Sequence, residues 1–181
     1  MITDFFDPIG ITKSRIAGLL ASSEEVREAL QYKGLDAQDP YDPNDPSTLI
    51  WNCIIPVLKD PDTITTSDPQ ILIGVESDND MDDPRRLWLY VTIVIIVDNT
   101  DMRTDIRYVR EDLLKDGICA YTKPDYVSAM IKQAIAKDKS ITWVDDVVFL
   151  GETEGATNNT THYGRTIKFR ISEINPNNRG I

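Results

Sequence analysis

Residues 87–98 read LWLYVTIVIIVD, and no other stretch limits the fold as strongly. Eleven of the twelve are apolar, aromatic or Thr, and most are β-branched or aromatic, which suits a packed strand and penalises a helix. The run is shorter than the ~20 apolar residues that a membrane-spanning helix needs. It stops at Asp98-Asn99, a turn pair. The reading is a central strand with two unlike faces. Leu87, Leu89, Val91, Ile93, Ile95 and Val97 form an aliphatic face, expected to lie on the chain's own helices. Trp88, Tyr90, Thr92, Val94 and Ile96 form a mixed face. That second face is still too apolar for water and needs cover, from more protein or from a partner subunit.

The chain has 181 residues, one domain of ordinary size with room for an arm. It holds 19 basic and 30 acidic residues, net −11, and the imbalance is local. Residues 1–86 carry 7 basic against 17 acidic groups, residues 87–181 carry 12 against 13, and residues 162–181 are net +3. An acidic whole argues against a free-standing nucleic-acid binder, though a small basic patch can serve inside a larger assembly. Cys53 and Cys119 stand outside any CxxC pair or His cluster, which argues against zinc. Two reduced, half-buried thiols of a cytosolic protein are expected. The opening MITDFFDPIG lacks a basic segment followed by an apolar one, so no signal peptide is expected.

Residues 12–20 and 23–33 read as two short helices or one kinked helix, with Ser22 or Ser23 as cap and Gly34 as stop. Residues 36–48 hold three Asp-Pro pairs, which no regular element survives. They read as a linker between a helical N-terminal arm, 1–47, and a body, 48–181. Residues 48–58 fit a short helix or an edge strand equally. Residues 70–76 and the central strand form a hairpin whose tip, 77–86, is acidic. Helices are expected over 104–115 and over 122–137, the latter with Thr122 as cap and Pro124 in its first turn. A strand over 142–152, bulged at Asp145-Asp146, and an alternating strand over 163–173 close the chain. In the last strand Arg165 breaks the inward set. The fold class is α+β: a mixed sheet of about four strands in two hairpins, helices on one face, and the helical arm before it.

Candidate chemistry is sparse. Asp78, Asp80 and Asp82 have the spacing of a calcium loop, but the sixth position is Asp83 rather than Gly and the twelfth is Leu89 rather than Glu. An acidic solvated turn is the better reading, with no metal. His162 is the single histidine and has no nucleophile beside it in sequence, so no triad is visible. Neither a GxGxxG nor a Walker loop occurs. No enzyme and no cofactor are expected. Lys168 and Arg170, with Arg165 nearby, form a basic row against the trend. It reads as a solvated face or as a surface for an acidic neighbour.

The order of elements resembles the tail terminator, or tail completion, proteins of tailed bacteriophages. The resemblance rests on PQILIGVESDND with LWLYVTIVIIVDN, on RTDIRYVREDLL after them, and on WVDDVVFLGETE with TIKFRISEI, roughly residues 69–174. The first 68 residues are longer than a minimal member needs; they would be an arm reaching a neighbour, or the mark of another neck protein. The resemblance implies a non-enzymatic virion protein, assembled in the host cytoplasm. It implies a hexameric ring that caps the tail tube and joins tail to head. Its partners would be tail tube or sheath protein and a head-completion or connector protein. Genome DNA would pass the channel without specific binding, and no membrane is involved. Subunit contacts are then expected at Trp88 and Tyr90, and between the acidic tip (Asp78, Asp80, Asp82, Asp83) and the row Lys168 and Arg170 of the next copy. The competing reading is a monomeric acidic binding module, an inhibitor or immunity-type protein.

Overall fold

The structure is a computed structural model that describes residues 7–37, 42, 44–59, 63–79, 82–83, 86–103, 107, 109, 111–114, 121–138, 147–156 and 161–174. Helix α1 spans Pro8–Ser22. Asp7 caps it, accepting from Gly10 N at 3.0 Å, and Pro8 sits in the first turn, where its missing N–H costs nothing. Ser23 is a one-residue joint to α2, Glu24–Leu30; its Oγ accepts from Val26 N at 3.3 Å, so Ser23 is the cap. The chain thus forms two helices, and the first starts earlier than residue 12. The second stops before Gly34, because Gln31 turns into the left-handed region at φ 50°. Helix α3 spans Lys123–Lys137, with Thr122 as cap and Asp125 returning the bond to complete a capping box.

The sheet has five strands in the order β1-β2-β3-β5-β4. β1 is Ile54–Ile55, β2 Gln70–Asn79, β3 Arg86–Asp98, β4 Val148–Ala156 and β5 His162–Ile174. All neighbours are antiparallel except β1 and β2, which makes the sheet mixed. The α+β class therefore holds, with one strand more than expected. The ambiguous stretch 48–58 is neither a helix nor a full strand. Pro46–Leu49 makes a 3₁₀ turn and Ile54–Ile55 adds two residues beside Ile71 and Leu72. β2 also runs on to Asn79, so Asp78 belongs to a strand rather than to the hairpin tip. β4 has its register irregularity at Phe149/Gly151; the bulge expected at Asp145-Asp146 lies outside the described residues, as do Cys119 and most of the helix expected over 104–115. Among the described residues of that stretch, Glu111–Leu113 form a 3₁₀ turn.

The aliphatic face of β3 is buried as expected, with Leu89, Val91, Ile93, Ile95 and Val97 in the main core. Ile16, Ala17 and Leu20 of α1, Val26, Ala29 and Leu30 of α2, and Val127 and Ile131 of α3 belong to that same core. This corrects the division at 47/48. The helices of 1–47 are a layer of the domain and not an arm, because their apolar stripes cover sheet that α3 alone does not reach. The start of the Asp-Pro stretch is tied down as well. Asp36 carboxylate accepts from Thr66 Oγ1, Ser67 N and Ser67 Oγ at 2.9, 2.9 and 2.7 Å.

The mixed face of β3 is covered over one half only. Ile96 and Val94 pack with Leu72, Ile55 and Ile64 in a second small cluster, supplied by the segment after β1. Leu58 lies against Gly74, where a Cβ would have to displace the leucine side chain. The other half, toward Trp88, is the open part of the sheet.

Candidate functional site

The open face is built by cross-strand register. Tyr90 pairs with Glu76 of β2 and with Arg170 of β5; Trp88 pairs with Asp78 and Ser172; Thr92 pairs with Lys168. Directly paired residues point to the same side of a sheet. Five of the eight residues expected at a subunit contact, Trp88, Tyr90, Asp78, Lys168 and Arg170, are thereby brought onto one face. Its middle is aromatic, one flank acidic and the other basic. Tyr90 is 36 % exposed, a high value for an aromatic ring at the middle of a sheet. The Arg170 guanidinium lies over the Trp88 ring, 4.4 Å from its centroid, a cation–π contact. Arg170 Nε and the fully buried Ser172 Oγ lack hydrogen-bond partners among the described residues.

The remaining expected residues stand apart. Asp82 is exposed in the turn after β2, and Asp83 forms an ion pair with Arg86 at 3.5 Å. Asp80 lies outside the described residues. His162 is buried and its ring is held at both nitrogens, by Thr161 Oγ1 at 2.8 Å and by the Thr66 carbonyl at 3.0 Å. Since the carbonyl can only accept, Nε2 carries the proton there, and the ring anchors the start of β5 to the 64–68 segment. Cys53 is fully buried rather than half-buried, and burial, with the Asp68 carboxylate second, pushes its thiol well up. That leaves it an inert thiol.

Three features escaped the reading of the sequence. First, the partners of Arg165: its inward side chain meets Glu152, Asp125 and Glu154, the last at 3.1 Å. Glu152 also takes Ser128 Oγ and, at 2.7 Å, Lys132 Nζ. Burial pushes the Glu152 carboxyl up, but the hydrogen bonds from Arg165, Lys132 and Ser128 outweigh it and hold the pKa at about 2. The group pins α3 to β4 and β5, and every member has a structural partner. Second, Lys123 is fully buried and paired with Asp101. Third, apolar side chains are exposed at both edges of the sheet: Trp51, Val57 and Leu58 beside β1, and Val148, Phe149 and Leu150 on β4. Trp51 is held at φ 73°, a backbone setting that costs about 1–3 kcal/mol for a bulky residue. Strand edges with apolar side chains in the open are surfaces for pairing with another chain.

Among the described residues no group of three His, Cys, Asp or Glu is placed to hold a metal ion, and no helix is long and apolar enough to cross a membrane. No curated protein matches the chain. Residues 23–171, from the start of α2 to near the end of β5, match the family YomW, which takes its name from a gene of the Bacillus phage SPbeta region. With most of its length inside that match, the chain belongs to the phage-associated YomW family.

Proposed function

We propose that this protein is a ring-forming structural component of a phage tail, a tail terminator that caps the tail tube and joins tail to head. The observation that carries the reading is the uncovered half of the central strand. Tyr90 and Trp88 stand on an open face among paired charges, and the two edges of the same sheet expose apolar side chains. A monomer gains nothing by keeping these in water, whereas a repeated head-to-tail contact buries them. The partners on this reading are six copies of the chain, tube or sheath protein on one side and a head-completion or connector protein on the other. DNA passes through the ring without specific contacts, consistent with a chain of net charge −11.

The test is the mass of the purified chain in solution, alone and with tube protein, followed by negative-stain imaging. Six-fold rings are expected. A monomer under both conditions would remove the reading and leave the acidic binding module in its place.

A further inference from the structure

The chain carries opposite charges near the two ends of its central strand, β3. At one end, Glu76 and Asp78 are exposed on β2 and make no ion pair among the described residues, with the Asp82–Asp83 turn just beyond them. At the other end, past Asp98, lies a cleft of about 550 Å³ lined by the C-terminal end of α2 and by Asp101, Arg103 and Arg107. Arg27, Lys33, Arg103 and Arg107 line it. Of these, Arg27, Lys33 and Arg103 make no ion pair among the described residues, in a chain with 30 acidic groups. Asp101 also lines the cleft, but its charge is taken up by the buried Lys123, which leaves Glu28 as the cleft's one other carboxylate among the described residues. Gln31 Nε2 is buried there without an acceptor among the described residues. Among the described residues, the cleft therefore holds more basic groups than carboxylates.

The two ends cannot satisfy each other within one chain. β3 has 13 residues, so at about 3.3 Å each its ends stand roughly 40 Å apart. Lys168 and Arg170 lie beside the acidic end of the same copy, across the central strand from it. Arg170 sits in the same cross-strand row as Glu76, with only Tyr90 between them, and is stacked on Trp88. Both are part of the face that carries the acidic residues.

We propose that the acidic end of one copy, Glu76 and Asp78 with the adjoining turn, docks in the Arg27–Lys33–Arg103 cleft of a second copy, head to tail. The contact rests on the assembly reading above and supplies its polarity. Each copy offers one acidic end and one basic cleft, so the interface is heterologous and propagates in one direction until it closes. Arginine forks suit carboxylates, and complementary end charges steer the encounter and set its register.

The test uses the full chain and two reversals, Glu76→Lys with Asp78→Lys, and Arg27→Glu with Lys33→Glu and Arg103→Glu. Molecular mass is read at micromolar concentration in low and high salt. Wild type assembles and loses mass as salt rises. Each reversed protein alone is a monomer, since its two ends now carry one sign. Mixed in equal amounts they assemble again, each end meeting its opposite, which also shows that both are folded. The neutral variant Arg27→Gln with Lys33→Gln and Arg103→Gln assembles less than wild type. If wild type assembles and the reversals assemble equally well, or if mixing restores nothing, the contact is refuted while the assembly reading stands. If wild type remains a monomer in low salt both alone and with tube protein, the assembly reading fails, and this contact with it.

Discussion

Arg165 shows how a strand can place a charge on its inward side and keep it. Its neighbours in the alternation, Ile167, Phe169 and Ile171, are core residues, and its own side chain ends among Glu152, Asp125 and Glu154. The sequence marks Arg165 as a break in the pattern. It cannot reveal the partners, because Asp125 lies 40 residues away and Glu152 reaches it only through the β4–β5 register. The consequence is a pH dependence with a definite sign. Glu152 is held near pKa 2 against an ordinary 4.5, so it stabilises the fold above 4.5, and that contribution fades as pH falls from about 4.5 through about 2. Glu152→Gln leaves Arg165 and Lys132 without their shared acceptor and is expected to cost about 2 kcal/mol at pH 7, measured by urea unfolding. The gap between variant and wild type should narrow steadily below pH 4.5. A gap of constant size across that range would show that the carboxylate's charge contributes nothing.

Among the elements, those legible in the sequence carry their own pattern. β3 is unmistakable from composition, and its two faces follow from alternation alone. The caps Ser23 and Thr122 follow from residue type and spacing. What was not legible depends on distant partners. β1 is two residues long and has no period to detect; it exists because β2 offers an edge. The end of α2 at Gln31 precedes the expected glycine, since a non-glycine residue, Gln31, takes the left-handed turn there. The largest misreading was the arm. Three Asp-Pro pairs do mark a break in regular structure, but a break in the chain is not a break in the core. α1 supplies Leu20, fully buried in the main core. Leu20→Ala is therefore expected to lower global stability by about 3 kcal/mol, in one cooperative transition. An unchanged main transition, with loss of a little helical signal only, would restore the separate arm.

At the scale of the whole molecule, the polarity is what matters most. The helical side of the sheet is closed by three helices, and the other side is half open, with Glu76 and Asp78 exposed near one end of the central strand and a mostly basic cleft near the other. Trp88→Ala tests the open face. The ring is only half-buried and touches Arg170 from the solvent side of the sheet, so the monomer should keep its fold by circular dichroism. Assembly should weaken by 2 kcal/mol or more, roughly thirtyfold in dissociation constant. Unfolding of the variant would instead place Trp88 in the monomer's own core. The candidate surface was partly legible: the second face of β3 was visible as a problem in need of cover. The basic cleft was not, because residues 27, 33 and 103 meet only once α2 and the end of β3 are packed.

The position of β3 between β2 and β5 also has a consequence during synthesis. β2 precedes β3 by a short turn, so that hairpin can close as soon as it leaves the ribosome. The other edge of β3 pairs with a strand that ends at Ile174, while β3 itself ends at Asp98. At about 5–20 residues per second, the missing strand takes roughly 4–15 s to arrive. For that time the most β-prone segment of the chain has an open edge, longer than most hairpins need to find a wrong partner. Chains cut short before residue 162 are expected to be insoluble when expressed, and a separately supplied peptide of residues 162–174 should return part of them to the soluble fraction. Soluble, monodisperse truncated chains would mean that β3 is shielded by something other than β5 until translation ends.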